Sequence, residues 1–211
     1  MRKVFLDLGS NNGCSVRTFR RFYEDHKQYE IHCFEANPEL WDHYDANLEW
    51  MRGVTLHKKA VGVADGTQTF YISQSHTSST LEVDKDSGGG ITEAEVEVID
   101  FGRWVKQEFT IDDYIVMKMD IEGSEYEVLG KMFLDGSINY ISDLYGELHA
   151  TKMLRYTSPA EEREVNNNLL KKLEKSGLVM WEWYAYERES PSGKFERYRD
   201  LPLKYRKYNI L

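Results

Sequence analysis

Charged side chains alternate along the apolar segment 114–120 and could bind or deprotonate a ligand. Lys118 and Asp120 lie in this segment and Glu122 follows it, so the three occupy every second position. Successive side chains of a strand point to opposite faces, so these three can point to one side. Parallel sheets bind ligands outside the carboxyl ends of their strands. We therefore predict that these three groups face a cleft and act in catalysis.

A second pair of titratable side chains follows the next apolar segment. Glu147 and His149 repeat the alternation, and neighbouring strands would bring them beside Asp120. A hydroxyl that attacks an electrophile gains acidity, so a base within hydrogen-bond reach would help. Asp120 and His149 are the candidate bases. His149 has the more suitable resting pKa for this role, whereas Asp120 could equally orient a ligand. We assign Glu147 to the substrate, and Glu125 to a helix start. A structural role for His149 stays open.

The same side chains could instead hold a divalent cation. Asp120, Glu122 and Glu147 offer hard oxygen ligands, and His149 offers an imidazole. Their spacing matches no zinc signature. No metal ligand is assigned, and a divalent metal is kept as an alternative.

A glycine-bearing turn after the apolar segment 4–8 is suited to the polar end of a ligand. Glycine lets the backbone turn tightly, and exposed amides at a helix start attract a carboxylate or phosphate. Glu35 ends the next apolar segment, where a carboxylate can accept hydrogen bonds from both hydroxyls of a ribose. This combination predicts an adenosine-containing cofactor. The residues assigned to the turn are Asp7, Gly9, Ser10, Asn11, Asn12 and Gly13.

The turn favours S-adenosylmethionine over a nicotinamide dinucleotide. The dinucleotide fingerprint requires three glycines, and here Asn11 stands at the middle position between Gly9 and Gly13. Asp7 places a negative charge beside the turn, which disfavours a pyrophosphate and suits the ammonium of a methionine moiety.

Alternating strands and helices must position these groups. Apolar segments at 4–8, 31–34, 54–57 and 114–120 are separated by helical patterns, which predicts a mainly parallel sheet. One of those helical patterns opens at Pro38. Ser158 and Pro159 mark the start of a later helix, and segments 178–187 and 195–208 predict a C-terminal antiparallel hairpin. We expect a single domain over 1–211.

Residues 73–92 interrupt the periodicity with serine, threonine and glycine, a composition typical of a loop. Alternation at 69–72 and 95–99 predicts an edge pair of strands that carries this loop. A long loop in a compact domain is commonly functional. We predict a mobile substrate loop, with Ser78 and Ser79 in contact with the substrate.

Composition limits the classes of function. The chain has 211 residues, 41% of them hydrophobic, and a net charge of −9, which argues against nucleic acid as a partner. No apolar run is long enough to span a membrane, and Asp7 comes too early for a signal peptide. We expect a cytoplasmic protein in which Cys14 and Cys33 stay reduced.

Four motifs resemble the FkbM-like family of class I S-adenosylmethionine-dependent methyltransferases. They occur in the order and spacing of that family over about residues 4–149, and the last is the most specific. The motifs are VFLDLGSNNG at 4–13, FEANP at 34–38, AVG at 60–62 and KMDIEGSE at 118–125.

The resemblance implies a Rossmann-like, doubly wound α/β fold. This fold has a mostly parallel seven-stranded sheet, with one antiparallel strand and helices on both faces. The resemblance also implies methyl transfer to oxygen on sugars or secondary metabolites. By the same resemblance, 9–13 cradle the methionine end of the cofactor, Glu35 holds the ribose, and Ala60 and Val61 border the adenine. We also assign Ala36 to the cofactor site.

Two features depart from the family. The sequence begins on the first strand, without the extension that covers the substrate in many relatives, and its aromatic C-terminal segment matches no family motif. We expect the aromatic side chains of this segment to form core, a homodimer surface or a shelf for a sugar ring. They are Trp181, Trp183, Tyr184 and Tyr186.

The sequence therefore predicts a methyltransferase that acts on a hydroxyl of a glycan, glycosylated metabolite or similar small acceptor. One alternative is an RNA methyltransferase, supported only by the basic residues of segment 188–207. The other is a non-catalytic cofactor-binding module, against which the intact acidic cluster argues.

Overall fold

The computed structural model describes residues 1–45, 49–74, 76–86 and 90–183. The strands are β1 (Lys3–Leu8), β2 (Tyr29–Phe34), β3 (Val54–His57), β4 (Ala60–Gly62), β5 (Gly66–Ser73), β6 (Ile91–Asp100), β7 (Tyr114–Met119), β8 (Ile141–Gly146) and β9 (Met180–Trp181). The α-helices are α1 (Cys14–Phe22), α2 (Asp42–Asp45), α3 (Phe101–Glu108), α4 (Glu125–Asp135) and α5 (Pro159–Lys175).

The main sheet has the strand order β3-β2-β1-β7-β8-β9, and every pairing in it is parallel. The mainly parallel sheet is therefore confirmed. The count of seven is not, because the described residues give six strands in this sheet, none of them antiparallel. Parallel strands end at a common edge, so the segments that follow β1, β2, β7 and β8 meet there.

Alternate side chains of β1 fill two cores on opposite faces of the sheet. Leu6 packs in a cluster that includes Trp104 of α3 and Leu129 of α4. Phe5 points the other way and stacks on Phe19 of α1, with ring centroids 4.1 Å apart. Burying each such side chain stabilises the fold by about 1.5–3 kcal/mol. Helices thus cover both faces, as expected.

A separate three-stranded sheet has the order β4-β6-β5. β5 and β6 pair antiparallel and carry the intervening segment, which confirms the predicted edge pair. That segment is tied down at two points, by pairing of Tyr71 with Thr80 and of Lys85 with Met153. The second pairing joins it to the chain that follows β8.

The helix expected from Pro38 is broken into short pieces, a 3₁₀ turn at Pro38–Leu40 and then α2. Side chains of this segment bond back to the turn between β1 and α1, through Tyr44, and to the end of β2, through Trp41. At α5 the expected cap is present, because the Ser158 hydroxyl accepts from the amide of Glu161 at 3.3 Å.

The predicted C-terminal hairpin lies outside the described residues, except for its beginning, where β9 pairs parallel with β8. Tyr184 and Tyr186 also lie outside them. Within the described part of the chain, no helix combines the length and apolar character that a membrane crossing requires.

Candidate active site

A cavity of about 740 Å³ opens at the carboxyl edge of the main sheet. Most of the predicted site residues line it. They are Gly9, Ser10, Asn11, Asn12, Glu35, Ala36, Ala60, Val61, Ser78, Ser79, Lys118, Asp120, Glu122 and Glu147. The predicted residues that do not line it are Asp7, Gly13 and His149.

The turn after β1 is fixed by its own backbone and by a tyrosine. The amides of Gly9 and Ser10 both donate to the carbonyl of Phe34 at 3.1 Å. The Tyr44 hydroxyl lies 2.6 Å from Ser10 Oγ and 2.8 Å from the carbonyl oxygen of Asn11. Tyr44 was not anticipated from the sequence, since its helical spacing indicated only a core position.

Asp7 lies beneath the turn and not on the cavity wall. Its side chain is fully buried, accepts a hydrogen bond from the Ser15 hydroxyl and lies 3.4 Å from the ammonium of Lys118. The structure thus gives Asp7 an internal ion pair. Its contact with a cofactor ammonium stays a prediction.

Lys118 connects the turn to the acidic cluster. Its ammonium donates to the carbonyl of Gly9 at 2.8 Å and lies 3.6 Å from Asp120 Oδ2. Burial alone would lower its pKa, but the carboxylates of Asp7 and Asp120 raise it above the usual value. Lys118 is therefore a buried cation that holds Gly9 and Asp120 in fixed relation.

Glu35 follows β2 and presents a buried carboxylate to the cavity. One oxygen accepts from the amide of Asn11 and the other from the amide of Asn37, each at 2.7 Å. Glu35 is only 6% exposed. This burial raises the pKa of its carboxyl to about 7, although the hydrogen bonds from the two amides lower it.

Asp120 and Glu122 reach the cavity from a turn and not from a strand. β7 ends at Met119, and Glu122 has a left-handed backbone with φ +56°. The prediction that strand alternation aligns them with Lys118 was wrong in this respect, although all three line the cavity. The turn is held because the amide of Asp120 donates to the carbonyl of Leu8 at 3.0 Å.

His149 lies behind these carboxylates with only 4% of its side chain exposed. Its Nε2 lies 3.6 Å from Asp120 Oδ1, 3.5 Å from Glu122 Oε2 and 3.8 Å from Glu147 Oε2. Burial alone would lower its pKa, but the carboxylate of Glu125 and then those of Glu122 and Asp120 raise it above the usual value.

Two residues contribute more than the sequence indicated. Glu125 begins α4 as expected, but it is fully buried. Its carboxylate accepts from the amides of Ile121 and Gly123 at 3.0 and 2.9 Å and lies 2.8 Å from His149 Nδ1. Lys85 pairs with Glu122, and nothing in its neighbourhood in the sequence signals this, because the contact depends on the path of a loop.

The segment after β5 crosses the mouth of the cavity. The side-chain amide of Asn11 donates to the carbonyl of His76 at 3.0 Å, and the Thr80 hydroxyl donates to the carbonyl of Glu122 at 2.8 Å. In the described residues, the non-glycine positions with positive φ are Asn11, His76 and Glu122, and all three line the cavity. Strained backbone of this kind concentrates at functional sites.

Together these features define a class of protein. A parallel sheet with helices on both faces, a glycine turn after the first strand and a ligand-sized cavity at the strand ends are typical of α/β proteins that bind a nucleoside-containing cofactor.

The model of the methyltransferase FkbM domain family matches residues 7–164, and the chain belongs to that family. The match begins in β1 and extends into α5, so it includes every residue that lines the cavity except Trp183. Family membership supports a methyltransferase. No curated protein and no solved structure gives a significant match.

Proposed function

We propose that this chain is an S-adenosylmethionine-dependent O-methyltransferase that acts on a hydroxyl of a glycan, glycosylated metabolite or similar small acceptor. One observation carries the proposal: the glycine turn with Glu35 and the acidic cluster around Asp120 line a single cavity. Its volume of about 740 Å³ lies within the range of small-molecule sites, roughly 300–1,000 Å³.

The residues on one side of this cavity suit the cofactor. Glu35 keeps lone pairs beyond those used by two amides, so it can accept from ribose hydroxyls. Ala60 and Val61 supply an apolar wall against which a purine can pack. When bound, S-adenosylmethionine supplies an electrophilic methyl group on a sulfonium.

The residues on the other side suit a hydroxyl acceptor. In the sheet, β7 and β8 lie on the side of β1 away from β2. The carboxylates that follow β7 and β8 therefore lie next to the cofactor side of the cavity. Asp120, Glu122 and Glu147 can accept a hydrogen bond from a hydroxyl and orient its oxygen. A carboxylate that accepts this bond also favours loss of the hydroxyl proton as the oxygen reacts.

Calorimetry with S-adenosylhomocysteine tests the cofactor assignment. We expect the wild-type chain to bind and Glu35→Ala to bind about 10- to 100-fold more weakly, the range for loss of hydrogen bonds to a charged group. Glu127→Ala is the matched control, since Glu127 is exposed on α4. No binding by the wild-type chain, or equal binding by Glu35→Ala, would contradict the assignment. Thermal melts show whether each variant is folded.

Incubation with a labelled methyl donor tests the acceptor class. Mass spectrometry should locate the label on oxygen in a pool of glycans and glycosylated metabolites. Label found only in RNA would favour an RNA methyltransferase instead. Label in no acceptor at all would favour a non-catalytic cofactor-binding module.

A further inference from the structure

We propose that Asp120, Glu122 and His149 form a binding site for a divalent metal cation of the Mn²⁺ or Zn²⁺ type. This goes beyond the proposed methyl transfer, which these residues could serve without a metal. The donor set of two carboxylates and one imidazole suits such cations, since carboxylates favour hard ions and imidazole favours later transition metals.

The spacing of the three ligand atoms fits one ion. One ligand atom from each residue lies within 4.8 Å of the others, and His149 Nε2 is 3.5–3.6 Å from the two carboxylate oxygens. Two ligands each bound at about 2.0–2.2 Å to a common metal lie about 3–3.5 Å apart. The two distances to His149 Nε2 already lie close to this range, and the two carboxylates, within 4.8 Å of each other, need to approach by at most about 1–2 Å to share one cation.

His149 is oriented as a metal ligand is. Glu125 bonds to Nδ1 at 2.8 Å, and two backbone amides fix that carboxylate in turn. In the neutral ring, Nδ1 then carries the proton, and the lone pair of Nε2 points toward Asp120 and Glu122. A carboxylate on the far nitrogen is the usual partner of a metal-bound histidine.

One buried carboxylate oxygen at this point has no donor among the described residues, and the ring nitrogen of His149 lies beside it. The side chain of His149 is 96% buried, given its 4% exposure, and its Nε2 faces carboxylate oxygens. Asp120 Oδ1 is buried and has no hydrogen-bond partner among the described residues. Buried acceptors that face one another are unfavourable unless a proton or a cation lies between them.

The charges of the cluster also call for a cation. Among the described residues, its ion pairs join five carboxylates to three lysines. The carboxylates are Asp7, Asp120, Glu122, Glu125 and Glu147, and the lysines are Lys85, Lys118 and Lys152. Lys85 and Lys152 both contact Glu122 Oε2, the oxygen that lies 3.5 Å from His149 Nε2, so a cation bound there would share this oxygen with two ammonium groups. A divalent cation would add positive charge beside these carboxylates, as would a protonated His149.

Mn²⁺ titration followed by electron paramagnetic resonance tests the site directly. The full chain, first dialysed against a chelator, should bind one equivalent of Mn²⁺ and reduce the six-line signal of the free ion. Asp120→Asn should weaken this binding at least tenfold, because it removes a charged ligand and keeps the shape of the side chain. Glu127→Gln removes an exposed carboxylate from α4 and should bind as the wild type does.

Each other outcome overturns the proposal. If neither Mn²⁺ nor Zn²⁺ binds at about 1 mM, the weak end of protein divalent sites, a protonated His149 satisfies the cluster instead. Equal binding by wild type and Asp120→Asn would place the ion elsewhere. His149→Gln should weaken Mn²⁺ binding as much as Asp120→Asn does, and circular dichroism shows whether the variant is folded. None of these measurements depends on methyl transfer, so failure here is distinct from failure of S-adenosylhomocysteine to bind.

Discussion

Glu35 is a carboxyl group held near the midpoint of its titration. Burial raises its pKa to about 7, while the amides of Asn11 and Asn37 favour the charged form. A small change in its surroundings therefore changes its charge at neutral pH. Hydroxyl donors from a bound ribose would favour the carboxylate further.

Cofactor binding near pH 7 should therefore release a proton. In the free protein Glu35 is partly protonated, and donors that prefer the carboxylate lower its pKa on binding. The affinity for S-adenosylhomocysteine should then fall as the pH drops below 7, by at most tenfold per pH unit. Calorimetry in two buffers of different ionisation enthalpy measures the proton count. An identical heat in both buffers, or the same release in Glu35→Gln, would contradict the role of Glu35.

Single residues of the site were predictable where a strand end positions them. Glu35 and Asp120 follow apolar strands, and this placement suffices to bring both to the cavity wall. The orientation of Asp7 could not be predicted in this way, since its ion pair with Lys118 depends on which strand lies beside β1 in the sheet. The burial of Glu125 likewise depends on a bond to a histidine 24 residues away.

At the scale of elements, the turn after β1 lies against the turn after β7. Gly9 has φ +73°, and a Cβ built there would overlap the backbone carbonyl oxygen of Asp120. The two turns that carry the two sides of the cavity thus touch through backbone atoms at this point, and a shift of one turn requires a shift of the other.

Gly9→Ala should lower the free energy of unfolding by about 2–4 kcal/mol, the sum of a left-handed backbone penalty and overpacking. Gly130→Ala is the control, because Gly130 lies in α4 with no atom within 4 Å of an added Cβ. That change should be neutral or stabilise by up to about 1 kcal/mol. Urea denaturation measures both. A Gly9→Ala protein as stable as Gly130→Ala would show that the two turns can separate.

Elements whose apolar residues recur at a regular spacing were predictable from the sequence, and irregular elements were not. β1, β2, β7 and α5 match their apolar patterns. The segment after Pro38 has a helical pattern, yet it forms a 3₁₀ turn and the short α2. Local pattern alone therefore did not predict its structure.

For the whole molecule, the net charge of −9 opposes binding to a polyanion. We expect the full chain to bind a single-stranded RNA oligonucleotide no more tightly than about 10⁻⁴ M at physiological salt. Fluorescence anisotropy measures this. Tighter binding that weakens steeply with added salt would support the rival RNA methyltransferase, through the basic residues of 188–207.

The parallel sheet has a consequence for how new specificities could arise. The cofactor side of the cavity comes from segments after β1, β2 and β3, and the opposite side from segments after β5, β7 and β8. Variation in the second set could change which compound is accepted while the first set keeps its ligand. Contacts such as those of Gly9 with Asp120 and of Asn11 with His76 join the two sets, so acceptor choice can evolve freely only at positions outside these contacts.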